Sequence, residues 1–236
     1  MGSWVMKQRW LDLLFAHWRV PVEALRAVVP PQIPIDEFDG SAWVGVTPFR
    51  VERLRVRGTP PVPGISSFLE TNVRTYTTIN GKGGIWFFSL DAENRSAVAA
   101  ARRAYRLPYF RAEMSYAAAG ARIEYSMERV SDDGPPAALD VDYGPTAPAA
   151  FAEAGTLDHF LTERYCLYTL DAGGRVMRGD IQHEPWPLQP AAAELRRNAM
   201  GEQIGVELSG EPLLHFAELQ DVVFWPLVPA DAPDPG

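Results

Sequence analysis

The stretch Phe68 to Tyr76, FLETNVRTY, carries a carboxylate, an amide and a guanidinium at every second position: Glu70, Asn72 and Arg74, bracketed by Phe68 and Tyr76. In an extended chain successive side chains point to opposite faces, so these five share one face. Two arrangements satisfy the spacing. On a solvent-facing sheet Glu70 and Arg74 neutralise each other in a contact worth little. Inside a cavity, a few polar groups among apolar walls orient a small ligand, with Arg74 on a ligand carboxylate and Glu70 as base. The next run, Ile85-Trp86-Phe87-Phe88, is apolar on both faces, as a strand covered on both sides must be. That favours the cavity, and Tyr76 and Trp86 join Arg74 as ligand-binding candidates.

Other chemistries find little support. Lys7 and Lys82 are the only lysines among 22 basic residues. Lys82 falls in the tight turn Asn80 to Gly83, where a solvated ammonium keeps its proton, and a nucleophilic lysine needs burial or a cationic neighbour. His17, His159, His183 and His215 form no HxH, HxxxH or HExxH pattern, so no metal site is expected. His17 reads as a hydrogen-bonded core histidine, His183 as a packed strand end and Cys166 as a buried structural thiol. Without a P-loop, a Rossmann glycine pattern or a GxSxG elbow, no cofactor is expected either.

The composition, 47% hydrophobic and 22% charged, is that of a folded globular chain. The net charge of -8 disfavours a nucleic-acid partner. A lone cysteine excludes an internal disulfide, and neither a signal peptide nor a long apolar run is present, so a cytoplasmic protein without a membrane partner is expected. The composition leaves the oligomeric state open.

The elements that must position these residues are mostly strands. Trp10–Arg19 reads as a buried strand with Leu11, Leu13, Phe15 and His17 on one side. Pro21 opens a short helix that Pro30-Pro31 ends. The turn Phe38-Asp39-Gly40 separates a strand at Ile33–Glu37 from a long one at Ala42–Arg57, and Thr59–Gly64 is a loop. Asn80-Gly81 joins Phe68–Thr78 to Gly84–Leu90 in a hairpin. Asn94 caps a helix over Arg95–Arg106. Further strands are expected at Arg111–Tyr116, Ala121–Val130, Leu139–Tyr143, Tyr165–Leu170, Val176–Glu184, Leu213–Leu219 and Val222–Leu227. Thr156 caps a helix Leu157–Arg164, Pro190 starts another ending near Asn198, and Gly144–Ala154 is a surface loop. The expectation is one mainly β (α+β) domain over residues 1–236, a barrel or sandwich with a few short peripheral helices and a frayed tail from about 229.

Five blocks in order, LRAVVPPQIPID, FLE, NGKGGIWFFSLDAEN, AVAAARRAYRLPYFRA and HEPWPL, resemble the YqjF-like family of unknown function. That family is similar in turn to acetoacetate decarboxylases, which implies a mixed, largely antiparallel β cone around an apolar pocket. Those enzymes carry Gly-Arg-Glu, a few residues, then Pro-Lys-Lys. Matched to AVAAARRAYRLPYF, the arginine falls on Arg102 and the proline on Pro108, while the two lysines fall on Tyr109 and Phe110. Neither can form the iminium on which such decarboxylation depends. The resemblance also sets Glu70 on a pocket glutamate and Arg9 near a pocket arginine. Glu70 and Tyr109 are therefore the catalytic candidates, and Arg74, Arg102, Tyr76 and Trp86 the ligand-binding ones. The reading is a small-molecule-binding protein for an anionic ligand and, if an enzyme, one acting on a small carboxylate or keto acid without Schiff-base chemistry. A non-catalytic sensor or carrier, and an interaction protein whose pocket is filled by its own aromatics, are the alternatives.

Overall fold

A computed structural model describes residues 3–94 and 105–234. Among them are twelve strands: β1 (Met6–Val20), β2 (Ala42–Val56), β3 (Phe68–Ile79), β4 (Lys82–Ala92), β5 (Tyr109–Ala119), β6 (Arg122–Arg129), β7 (Ala138–Pro145), β8 (Ala150–Phe151), β9 (Cys166–Leu170), β10 (Val176–Gln182), β11 (Pro187–Asn198) and β12 (Leu213–Pro229). Two short helices, α1 (Val22–Arg26) and α2 (Leu157–Thr162), lie between them. No helix among the described residues is long and apolar enough to cross a membrane.

The β3–β4 hairpin forms where Asn80 and Gly81 both take positive φ, +53° and +78°, with Ile79 paired to Lys82 on either side. Only a turn of that hand matches the twist of the flanking strands. From it the sheet runs β3-β2-β1-β12-β10-β9-β4, and β4 pairs back onto β3, closing a ring of seven strands. All these pairings are antiparallel except β4 with β9. A second leaf, β5-β6-β7-β11, leaves the ring at β4 through a parallel pairing and rejoins it at β12. Between leaf and ring lies the main core, where Leu14, Ala16 and Trp18 of β1 and Val44 and Val46 of β2 meet Tyr125, Met127, Leu139 and Val141. Each large side chain fully buried here stabilises the fold by about 1.5–3 kcal/mol.

One residue decides which side chains of β1 enter the ring. Asp12 has φ +55°, and the β1–β2 register slips between Leu11 and Ala16. Before this bulge Met6, Gln8 and Trp10 point inward; after it Leu13 and Phe15 do. Arg50 Nε and Tyr116 Oη each donate to the Asp12 carboxylate at 2.8 Å, and Tyr143 Oη donates to its carbonyl at 2.7 Å, which pins the bulge. The uniform alternation expected for this strand therefore fails: Trp10 joins Leu13 and Phe15, not Leu14 and Trp18.

Other expectations need correction. Pro190–Asn198 is not a helix but part of β11, laddered to β7 from Ala191 to Asn198. Its helix-forming residues alternate Ala191, Ala193 and Leu195 toward the core, and that packing overrides propensity. Residues 33–37 make no strand. The chain there is tied by Arg26 to the carbonyls of Val29, Pro30 and Ile33, and Phe38 bridges only to Ser41. The two strands expected at the C-terminal end are one, β12, and the loop 144–154 contains β8, paired with Pro187 and Leu188. Thr156 does cap α2, accepting from the His159 amide. Beyond β12, where fraying was expected, Asp234 is held by Lys82 and Arg178. The helix expected at 95–106 lies almost wholly outside the described residues.

Candidate functional site

Every strand of the ring contributes to the wall of a cavity of about 420 Å³. β1, β2 and β12 supply Trp10, Phe15, Phe49 and Phe224; β4, β9 and β10 supply Ile85, Phe87, Leu167 and Ile181; Trp186 and Leu107 come from connecting segments. The aromatics line this space and do not fill it. β3 presents Phe68, Glu70, Asn72 and Arg74 to it, the same face that strict alternation requires. The polar groups lie deep, with Glu70, Asn72 and Arg74 only 5–7% exposed. The opposite end opens between Val56 and Ile65, 55% and 40% exposed.

Arg74 is the unusual group. No carboxylate among the described residues pairs with it, its Nε has no hydrogen-bond partner, and its guanidinium lies 5.2 Å over the Phe15 ring. Asn72 Oδ1 and Thr47 Oγ1, on neighbouring positions of β3 and β2, are likewise buried without partners. Arg164, which also reaches the cavity, is neutralised by Asp36 at 2.8 Å. A buried charge without a counter-ion is costly, and among the described residues of the cavity Arg74 is that charge.

Tyr109, at the start of β5, donates from its Oη to Glu70 Oε2 at 3.1 Å. Burial pushes the Glu70 carboxyl up to about 8; the Tyr109 hydrogen bond opposes this and the Asp91 charge adds to it. Burial, then Glu70, raises Tyr109 well above the usual phenol range. Burial thus favours the protonated carboxyl of Glu70 at neutral pH, and the role of base that the sequence reading gives it requires the ionised form above about 8. Its proton also couples to stability. Because the folded pKa exceeds the unfolded one, the native state keeps a proton that the unfolded chain has lost. Stability from this group is present below about 4.5 and falls by up to about 1.4 kcal/mol per pH unit until about 8. Glu70→Gln should melt higher than the parent at pH 8.5, with the gap narrowing toward pH 5. A gap independent of pH would show that Glu70 does not titrate in this window.

The remaining candidates fall elsewhere. Tyr76 shares the face of Arg74 but lies beneath the cavity, packed with Trp43 and Leu161 and 2.7 Å from His17 Nε2. Burial, then Arg74, holds His17 well below its usual pKa, so it is a neutral core residue. Trp86 points the other way, into the main core, since Ile85 and Phe87 take the inner face of β4. Arg102 lies outside the described residues. Arg9 makes an outer bidentate pair with Asp221, away from the cavity. Lys82 is bound by Asp180 and Asp234 outside the cavity; burial opposes its charge, but those carboxylates outweigh it and raise its pKa. Phe110 packs under Arg129. Cys166 is buried, and burial lifts its thiol to about 11. His183, read as packing, does line the cavity, stacked on Tyr165 and neutral through burial. Thr47 and Gln8, on strands, and Thr162, at the end of α2, were missed because single polar residues in largely apolar elements carry no spacing signal.

Residues 7–221 match the model of a family described as an uncharacterized conserved protein, DUF2071. The chain belongs to the DUF2071 family. Within it, the uncharacterized protein YqjF of Bacillus subtilis (strain 168) is 46% identical over 227 residues, 96% of this chain and 93% of that protein. Solved structures carry the DUF2071 fold further. The enduracididine biosynthesis enzyme MppR complexed with pyruvate superposes with a TM-score of 0.68 at 11% identity, over 98% of this chain and 92% of that one. An acetoacetate decarboxylase superposes at 0.65 and 15%, covering 96% and 89%. An acetoacetate decarboxylase-like enzyme from Sphingomonas wittichii RW1 does so at 0.66 and 14%, covering 96% and 93%. This DUF2071 chain therefore has the acetoacetate decarboxylase-like fold, with Tyr109 at the mouth of β5 inside the cavity.

Proposed function

We propose that the cavity binds an organic monocarboxylate through Arg74, Asn72 and Thr47, and that neutral Glu70 with Tyr109 is the proton donor to the bound molecule. The observation that carries this reading is the buried Arg74 without a carboxylate partner. A pocket in which, among the described residues, the one charge without a counter-ion is a guanidinium is complementary to one carboxylate, which takes its fork in two parallel hydrogen bonds. Catalysis here proceeds without an iminium, since no lysine lines the cavity. It is limited to proton transfer at a carbonyl or the adjoining carbon, for which an acid of pKa about 8 is suited. That a fold neighbour is complexed with pyruvate, itself a carboxylate, is in keeping with this choice. A reducing, cytoplasmic setting suits the single buried Cys166.

A second reading is a carrier that returns its ligand unchanged: the group beside Glu70 among the described residues is the Tyr109 phenol, which burial holds protonated. Melting curves test the shared premise: monocarboxylates should raise the melting temperature, and the corresponding primary amides should not. Equal stabilisation by acid and amide would reject the carboxylate site. Deuterium exchange next to a bound keto acid's carbonyl, in which ionised Glu70 takes the α-proton and returns a deuteron, followed by NMR in heavy water near pH 8, then separates enzyme from carrier.

A further inference from the structure

The carboxylate occupies only one end of the cavity, and the rest of the wall constrains what is attached to it. Resting on the carboxylate reading, we infer that the ligand carries a large apolar body, the size of a heptyl chain or a phenylethyl group, and that the cavity takes medium-chain or arylalkyl monocarboxylates in preference to small acids. A volume of about 420 Å³ has room for about a dozen non-hydrogen atoms, at the roughly 30 Å³ a water occupies in the liquid. Acetate or pyruvate fills a fraction of that and leaves the remainder to water against hydrocarbon.

The remainder is hydrocarbon by position as well as by amount. From Arg74 the β3 face runs through Asn72 and Glu70 to Phe68, roughly 20 Å of extended chain. Beyond the Glu70–Tyr109 pair the wall is formed by Trp10, Phe87, Leu90, Leu54 and Phe224, with the uncharged Gln8 amide accepting from Trp10, and the opening by Val56 and Ile65. None of these offers a charge. The two arginines of the wall among the described residues differ, since Arg164 is already matched by Asp36. The site therefore accepts one carboxylate at its deep end, and a second at the far end of the same chain would lose its hydration against aliphatic side chains.

Titration calorimetry of the full chain at pH 7 with acetate, butyrate, hexanoate, octanoate and 3-phenylpropionate tests this. Each added methylene should tighten Kd about three- to fourfold up to octanoate. Suberate, which is octanoate with a second terminal carboxylate, should bind at least about 100-fold more weakly. Leu54→Trp and Ile65→Trp, both at the open end where a larger ring leaves folding intact, should move the preferred length to shorter acids. Acids of all lengths binding alike, suberate matching octanoate, or a preference unmoved in both folded variants would overturn the inference while leaving the carboxylate site standing. If 1-octanol matches octanoate, the carboxylate reading fails and this inference fails with it.

Discussion

Replacing Arg74 by methionine should abolish carboxylate binding and raise the melting temperature of the ligand-free protein. The two effects have one cause. Arg74 is 7% exposed, and no described carboxylate neutralises it. Burying an uncompensated charge carries an effective penalty of several kcal/mol. The contact with the Phe15 face, 5.2 Å away, returns at most about 2 kcal/mol, and the Tyr76 hydroxyl, a neutral partner of the guanidinium, returns less than a counter-ion would. Burial therefore wins, and an unbranched apolar side chain of similar length relieves it. A bound carboxylate reverses the balance, and removing its one unpaired cationic partner among the described residues should weaken binding by at least about 100-fold, the equivalent of about 3–5 kcal/mol for a broken buried pair. Arg74→Lys should fall between, keeping the charge without the two-pronged geometry. Calorimetry and melting curves on the same preparations check both. A methionine variant that melts lower and binds carboxylates unchanged would remove Arg74 from the site.

Asp91→Asn should be among the most destabilising single changes in the molecule, by about 3–5 kcal/mol, or about 10 °C in Tm for a chain of this size. Asp91 and Arg129 are 0% and 1% exposed and share two hydrogen bonds, at 2.7 and 2.8 Å. Arg129 also donates to Pro135 and Gln203 and covers the Phe110 ring at 3.9 Å. Losing the carboxylate charge leaves this guanidinium uncompensated at the point where β4 meets β5. Asp91 pairs with Phe110 there, next to Tyr109, so the damage should extend to ligand binding. The double change Asp91→Leu with Arg129→Met should recover most of the loss, because an apolar pair needs no such match. A single variant within 1 °C of the parent would mean that the pair is not closed in solution.

The polar face of the cavity was legible in the sequence because β3 is regular where it matters. Period-two spacing set Glu70, Asn72 and Arg74 side by side, and Asn80-Gly81 fixed the hairpin that carries them. Tyr109 came from a different source, the likeness to lysine enzymes at a position where this chain has none. What failed were features set by distant contacts. The slip at Asp12 depends on Arg50, Tyr116 and Tyr143, on β2, β5 and β7. Trp86 was assigned to the ligand because its strand is apolar on both faces, and the pattern alone does not say which face is inside. The ladder partner of β11 is β7, and without it Ala191 to Leu195 read as helix. The charge state of Glu70 follows from enclosure, which no local pattern records.

The ring is closed by the pairing of β1 with β12, Met6 with Phe224 through His17 with Leu213. Within the ring, β1 is synthesised first and waits for β12, the last of its strands in chain order. Until β12 emerges, one edge of β1 stays open, and the apolar side chains destined for the cavity face water. The second leaf is incomplete for the same reason, since β11 also docks on β12. Late synthesis of one strand therefore completes both layers at once, so that premature termination before residue 213 yields an open-edged sheet prone to pair with other chains.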